Sequence, residues 1–221
     1  MKGLLVVVCL AVGALSQGDE AWLTWSAARA DGIGRAARVQ GRVGGLFDTR
    51  ILSTNSSYNY KLAATWMNPE VIRASARMAQ LTDALSAEEA KRLVAEAETA
   101  DQTVVMVEVD PREGSGVIPN DWVATLHPVS TQSQVGAGSK GRLDQRLREN
   151  RALAGTVKRN YDYDRFWVVF PLQRGSDAAL VQTDTVQLEL VVRISGKEGR
   201  VRWPVSAAAR AMLIRPAPSG H

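Results

Sequence analysis

Between Val186 and Val205 the chain alternates with a period of two on both sides of a short polar break, and no other stretch constrains the fold as tightly. Val186, Leu188, Leu190, Val192 and Ile194 interleave with Gln187, Glu189, Val191, Arg193 and Ser195. After Gly196-Lys197-Glu198-Gly199, Val201, Trp203 and Val205 interleave with Arg200, Arg202 and Pro204. Successive side chains of a strand point to opposite faces, so the pattern predicts an antiparallel hairpin with a four-residue connection, one face buried and one wet. A lone hairpin cannot cover its apolar face and needs a second layer.

The same period recurs upstream. Tyr58, Tyr60, Leu62, Ala64 and Trp66 alternate with Asn59, Lys61, Ala63 and Thr65. Residues 103–109 and 166–172 are apolar on both faces, which predicts strands covered on both sides. A shorter strand is expected over Trp122, Ala124 and Leu126, closed by Pro128, and further strands are candidates at 35–43 and 152–159. The segment Ala21-Trp22-Leu23-Thr24-Trp25 fits a short strand or an entry helix. One strong helical interruption divides these runs. Asn68-Pro69 predicts a helix start, because Asn accepts from the free first-turn amides and Pro lacks one, and the helix is expected to reach about Ala84. Ser86 and Glu89 make a capping box for a second helix whose buried stripe is Ala90, Leu93, Val94 and Ala97. Residues 130–141 have loop composition, 142–151 suit a helical turn, and a short helix is expected at 207–213 before Pro216.

Six or seven strands and a helical hairpin inserted at about 69–100 predict a mainly β (α+β) chain. The expected architecture is an antiparallel β-sandwich that resembles an immunoglobulin-like arrangement, with a single curled sheet plugged by the helices as the alternative. One domain is expected over 17–214, followed by a disordered tail at 215–221.

The N-terminus predicts export. Met1-Lys2-Gly3 is a short basic start, residues 4–14 are apolar apart from glycine, and Ala14-Leu15-Ser16 offers small residues before polar Gln17, so a signal peptide cleaved after Ser16 is expected. About a dozen apolar residues fall short of the roughly 20 that span a bilayer, so no transmembrane anchor is expected after cleavage. Cys9 follows Val6-Val7-Val8 rather than the small residues of a lipobox. It is the only cysteine, so the mature chain is expected to be cysteine-free, without disulfides, thiol catalysis or cysteine metal sites. The destination is expected to be secreted or periplasmic.

The formal net charge of +4 falls to about +3 when Lys2 leaves. This mild charge, the compartment and the lack of a binding motif argue against nucleic acid. Lys140, Arg142, Arg146, Arg148 and Arg151 form the one basic concentration and suit an anionic partner. The expected partner is an envelope component, protein or glycan.

Catalytic signatures mostly fail. With two histidines, His127 and His221, a histidine zinc site fails by count. Ser115 lacks the Gly-x-Ser-x-Gly elbow, and Ser-x-x-Lys is absent. Gly32-Ile33-Gly34-Arg35-Ala36-Ala37 fits the dinucleotide spacing but does not follow an apolar strand, and the glycines at 136–141 lack Walker spacing. Two acidic groups remain: Glu108, Asp110 and Glu113 leaving one strand, Asp162 and Asp164 before another. Gathered at one end of the sheets, they have the oxygen ligands for calcium, or an acid and base for a glycosidic bond if about 5 to 9 Å apart. Tyr161 and Tyr163 flank these acids and are candidate ligand contacts. No cofactor other than calcium is suggested. The leading expectation is a non-enzymatic binding or scaffolding protein, with a carboxylate-dependent glycan hydrolase as the rival.

Overall fold

A computed structural model describes residues 20–43, 59–98, 102–112, 122–157, 164–174, 178–194 and 197–214. The fold is α+β, with two antiparallel four-stranded sheets and four α-helices among the described residues. The first sheet has the order β1 (Asn59–Trp66), β2 (Gln102–Arg112), β6 (Asp164–Pro171), β5 (Arg142–Leu143). The second runs β10 (Lys197–Pro204), β9 (Thr185–Ile194), β3 (Val123–Ser130), β4 (Ser139–Lys140). A two-stranded ribbon joins β7 (Gln173–Arg174) to β8 (Ala178–Ala179).

Alternation places the core. Leu62, Ala64 and Trp66 of β1, Val105, Val107 and Val109 of β2, and Val168 and Phe170 of β6 share one cluster with Ala124, Leu126, Leu188, Leu190, Val192, Ile194, Val201 and Trp203 of the second sheet. The intervening residues Val104, Met106, Trp167 and Val169 join a second cluster with Val71, Ile72, Ala76, Ala90 and Val94 from the helices. The first sheet is therefore buried on both faces, which is why its two inner strands read as apolar throughout. Burying one side chain the size of Phe170 contributes about 1.5–3 kcal/mol.

The helical layer starts as its capping residues dictate. Asn68 Oδ1 accepts from Val71 N at 3.0 Å ahead of α2 (Pro69–Asp83), and Ser86 and Glu89 complete a reciprocal capping box at α3 (Ala87–Ala97). Ser206 likewise accepts from Ala209 N at α4 (Ala207–Leu213). The Ser86 hydroxyl and amide hydrogen bonds hold the Glu89 carboxyl below its usual range.

Several expectations are corrected. The strand expected at 35–43 is instead the last part of a helix, α1 (Ala27–Gln40), preceded by a 3-10 turn at Ala21–Thr24. Ser26 caps it, alanine and arginine favour it, and Gly34 is a packing residue: a Cβ there would lie 1.7 Å from Thr156 Oγ1. The strand expected at 152–159 is overturned as far as Val157. Arg151–Leu153 forms a 3-10 turn capped by Asn150, with Ala152 and Leu153 buried against the helices. Pro128 does not close its strand. Its carbonyl accepts from Gly136 N, so its nitrogen faces the same edge, where the regular ladder to β4 has already ended at Leu126. The last hairpin has a tighter connection than four residues, since Lys197 already pairs with Ile194.

The glycine-rich stretch expected as a loop is where the chain passes from the second sheet to the first, β4 to β5, through Gly141. A Cβ at Gly141 would lie 2.3 Å from Val168 and 2.8 Å from Phe170, so only glycine lets the backbone cross against the core. The predicted signal peptide and tail lie outside the described residues.

Candidate binding cleft

A cleft of about 860 Å³ lies in the helical layer. α1 supplies Ala27, Ala28, Asp31 and Arg35, which share one helical face. α2 supplies Ser75, Met78, Ala79, Thr82 and Asp83 at the i, i+3, i+4, i+7, i+8 spacing of another. The third wall is Arg151 and residues 154–157, with Arg165 of β6. Small side chains make the hollow: alanine at four lining positions and Gly155 leave space that larger residues would fill.

The third wall is held by one buried charge centre. Glu108 of β2 is 1 % exposed, and its two oxygens accept from Arg165 Nε at 2.8 Å and Arg38 Nε at 3.0 Å. Arg165 also donates to the carbonyls of Ala154 at 3.1 Å and Val157 at 3.4 Å. A single carboxylate thereby ties α1, β2, β6 and the 154–157 segment together. A pocket of about 10 Å³, the size of one water, separates Glu108 from the cleft wall at Gly155 and Thr156.

Charges of both signs rim the cleft. Asp31 accepts from Arg35 Nε at 2.6 Å, and Asp83 forms an ion pair with Arg151. Thr82 and Thr156 add hydroxyls, while the Ser75 hydroxyl is already satisfied by donating to Val71 O at 2.9 Å.

No family model matches this chain, and neither a curated protein nor a solved structure is significantly similar to it. Chemistry must therefore be read from the residues themselves.

The sequence candidates fall elsewhere. Val109 pairs with Asp164, so the backbone brings Asp110 and Asp164 to the same end of the first sheet; Asp164 is exposed. Glu113, Tyr161, Asp162 and Tyr163 lie outside the described residues. Among the described residues no three His, Cys, Asp or Glu side chains are grouped to hold a metal. His127 lies in β3 with Nδ1 3.1 Å from Gly136 O, and Ser115 is outside the described residues. Gly32 to Ala37 lie in the interior of α1, where a phosphate cradle is impossible.

The residues of the basic concentration take several partners. Arg142 and Arg146 both bond to Asp144, Arg151 turns to Asp83, and Lys140 belongs to the second sheet. Arg146 above all, with Arg142, lowers the Asp144 carboxyl from 3.8 to about 2. Of the tryptophans, Trp22, Trp66, Trp167 and Trp203 are buried in the two cores rather than forming a platform. Sequence reasoning missed the cleft because it left residues 27–40 without a helix. One signal was present: Glu108 is the lone acid inside the apolar run from Val104 to Val109, and an acid in such a place must be paired.

Proposed function

We propose that the chain is exported, loses residues 1–16, and acts in the periplasm, envelope or external medium as a non-enzymatic binding or scaffolding protein whose ligand site is the cleft between α1, α2 and residues 154–157. The observation that carries this reading is the cleft itself. Its volume of about 860 Å³ suits a small ligand, and its two acids, Asp31 and Asp83, already spend lone pairs on arginines. Such a rim offers paired donors and acceptors instead of a free acid and base, which favours recognition of a polar ligand carrying both signs of charge, such as a short peptide. In the same reading the two sheets form an antiparallel sandwich, supported by their shared core, with the immunoglobulin-like outline as its finer form.

The test uses Ala79→Trp, which fills the cleft from a half-buried position. Peptides retained from a mixed pool by the mature wild type are expected to bind the variant roughly tenfold or more weakly, with an unchanged urea midpoint. Equal binding by both proteins removes the cleft from the proposal. N-terminal sequencing of native material is expected to begin at Gln17.

A second reading draws on the register that sets Asp110 and Asp164 at one sheet end. With Glu113 and Asp162 they are the residues of a glycan hydrolase or a calcium site. Amide substitutions at all four positions with no change in glycan cleavage remove the first, and a melting temperature indifferent to Ca²⁺ and chelator removes the second.

A further inference from the structure

On the second sheet, the face turned away from the shared core carries a ladder of alternating charge. Register places Glu198, Arg200 and Arg202 of β10 opposite Arg193, Val191 and Glu189 of β9, and continues through Val123, Thr125 and His127 of β3 to Lys140 of β4. None of these side chains belongs to either hydrophobic cluster.

The carboxylates lie low and the guanidiniums stand above them. Arg193 Nε and Arg200 Nε each donate to Glu198 at 2.7 Å; Arg202 Nε donates to Glu189 Oε1 at 2.8 Å, while Arg200 Nη1 stands 3.6 Å from Glu189 Oε2. Glu189 is 2 % exposed, whereas the side chains of Arg193, Arg200 and Arg202 are 69, 53 and 51 % exposed. Arg193 and Arg202 are thus held through the inner nitrogen, while Arg200 also sets Nη2 2.6 Å from Glu198, so part of the ordering cost of binding an anion is already met in the free protein. Among the described residues of this face, four cations, Lys140, Arg193, Arg200 and Arg202, accompany two carboxylates, Glu189 and Glu198.

Shape narrows the partner. In one row across the sheet, Arg200 and Lys140 stand at opposite edges with the short side chains of Val191 and Thr125 between them, a span of about 14 Å at the usual strand spacing. The result is a shallow strip with an aliphatic floor and cationic sides. A membrane surface fits it less well, because the large apolar side chains exposed on or beside β3 among the described residues are two valines, Val123 and Val135, and interfacial binding relies on inserted apolar groups.

We propose that this face binds a linear acidic polysaccharide, with uronate carboxylates on the guanidiniums of Arg193 and Arg202, Arg200 adding positive charge between them, and sugar rings lying over Val191 and Thr125. Guanidinium suits this role because its planar fork matches a carboxylate bidentately. The inference stands apart from the cleft.

The probe is short-chain polygalacturonate, titrated calorimetrically into the mature protein, with neutral dextran and vesicles containing phosphatidylglycerol as the other arms. Binding to polygalacturonate alone is expected, weakening steeply as salt is added. Arg193→Gln with Arg200→Gln is expected to weaken it roughly tenfold or more at unchanged near-ultraviolet circular dichroism, while Arg148→Gln, in the segment after β5, leaves it unchanged. Should the double glutamine variant fail to fold, Arg193→Lys with Arg200→Lys keeps the charge but loses the fork and is expected to bind measurably more weakly. Wild type that ignores polygalacturonate, equal binding by the folded double variant, or binding confined to the vesicles overturns the proposal.

Discussion

Glu108 and Glu189 occupy equivalent places in the two sheets. Each lies on an inner strand, each points away from the shared core, each is almost wholly buried, and each faces two arginines. What differs is what lies above. Over Glu108 the helices close the face, Arg165 is only 9 % exposed, and its remaining donors are spent on the carbonyls of Ala154 and Val157. Over Glu189 the arginines are themselves the cover, and half of each side chain meets water. The same charge pattern is a structural tie in one sheet and a presented surface in the other. The deciding variable is whether the cations can be hydrated, because a desolvated ion must have its partner while a hydrated one need not.

That contrast predicts unequal costs. Glu108→Gln strands Arg165 in a dry site and is expected to lower stability by about 3–5 kcal/mol in urea denaturation. Glu108→Leu with Arg165→Met is expected to recover much of that loss, since the dry cation goes with its carboxylate and the arginine left behind, Arg38, is the more exposed of the two. Glu189→Gln leaves its arginines in water and is expected to cost about 1 kcal/mol or less. An equal loss for the two single variants would break the comparison, showing the second face to be as dry as the first. Raising salt to 1 M sharpens it, because the contribution of Glu189 is expected to shrink while that of Glu108 persists.

Asp144 extends the series to lower pH, with the smallest effect. It too is held by two arginines, Arg142 and Arg146, whose side chains are 63 and 84 % exposed. Its carboxyl is lowered from 3.8 to about 2, chiefly by the Arg146 hydrogen bond, so its folded value lies below its unfolded one. The stabilisation is then present above pH 3.8 and is lost as pH falls toward 2. A urea midpoint followed between pH 5 and 2 is expected to drop less steeply in Asp144→Asn than in wild type.

Much of the fold was legible wherever local chemistry and burial agree. Asn68-Pro69, the Ser86–Glu89 box and the alternation in β1 and β9 name their elements because capping and period-two burial act over a few residues. Where a long-range contact decides, local reading went astray. Gly34 resembles a helix breaker until Thr156, far along the chain, occupies the space its side chain would need. Pro128 resembles a terminator until the neighbouring ladder proves to have ended before it. The candidate cleft was hidden for the same reason: its walls come from α1, α2, residues 151–157 and β6, and only their packing makes the hollow.

By itself, then, the sequence determined which segments must be strands buried on one face or on two, and where three of the helices begin. Only the tertiary structure decided which arginines answer each buried acid, and which sheet the helices cover. The physical reason is one of range: hydrogen bonding and alternation are settled between near neighbours, whereas the dryness of an ion pair depends on every layer stacked above it.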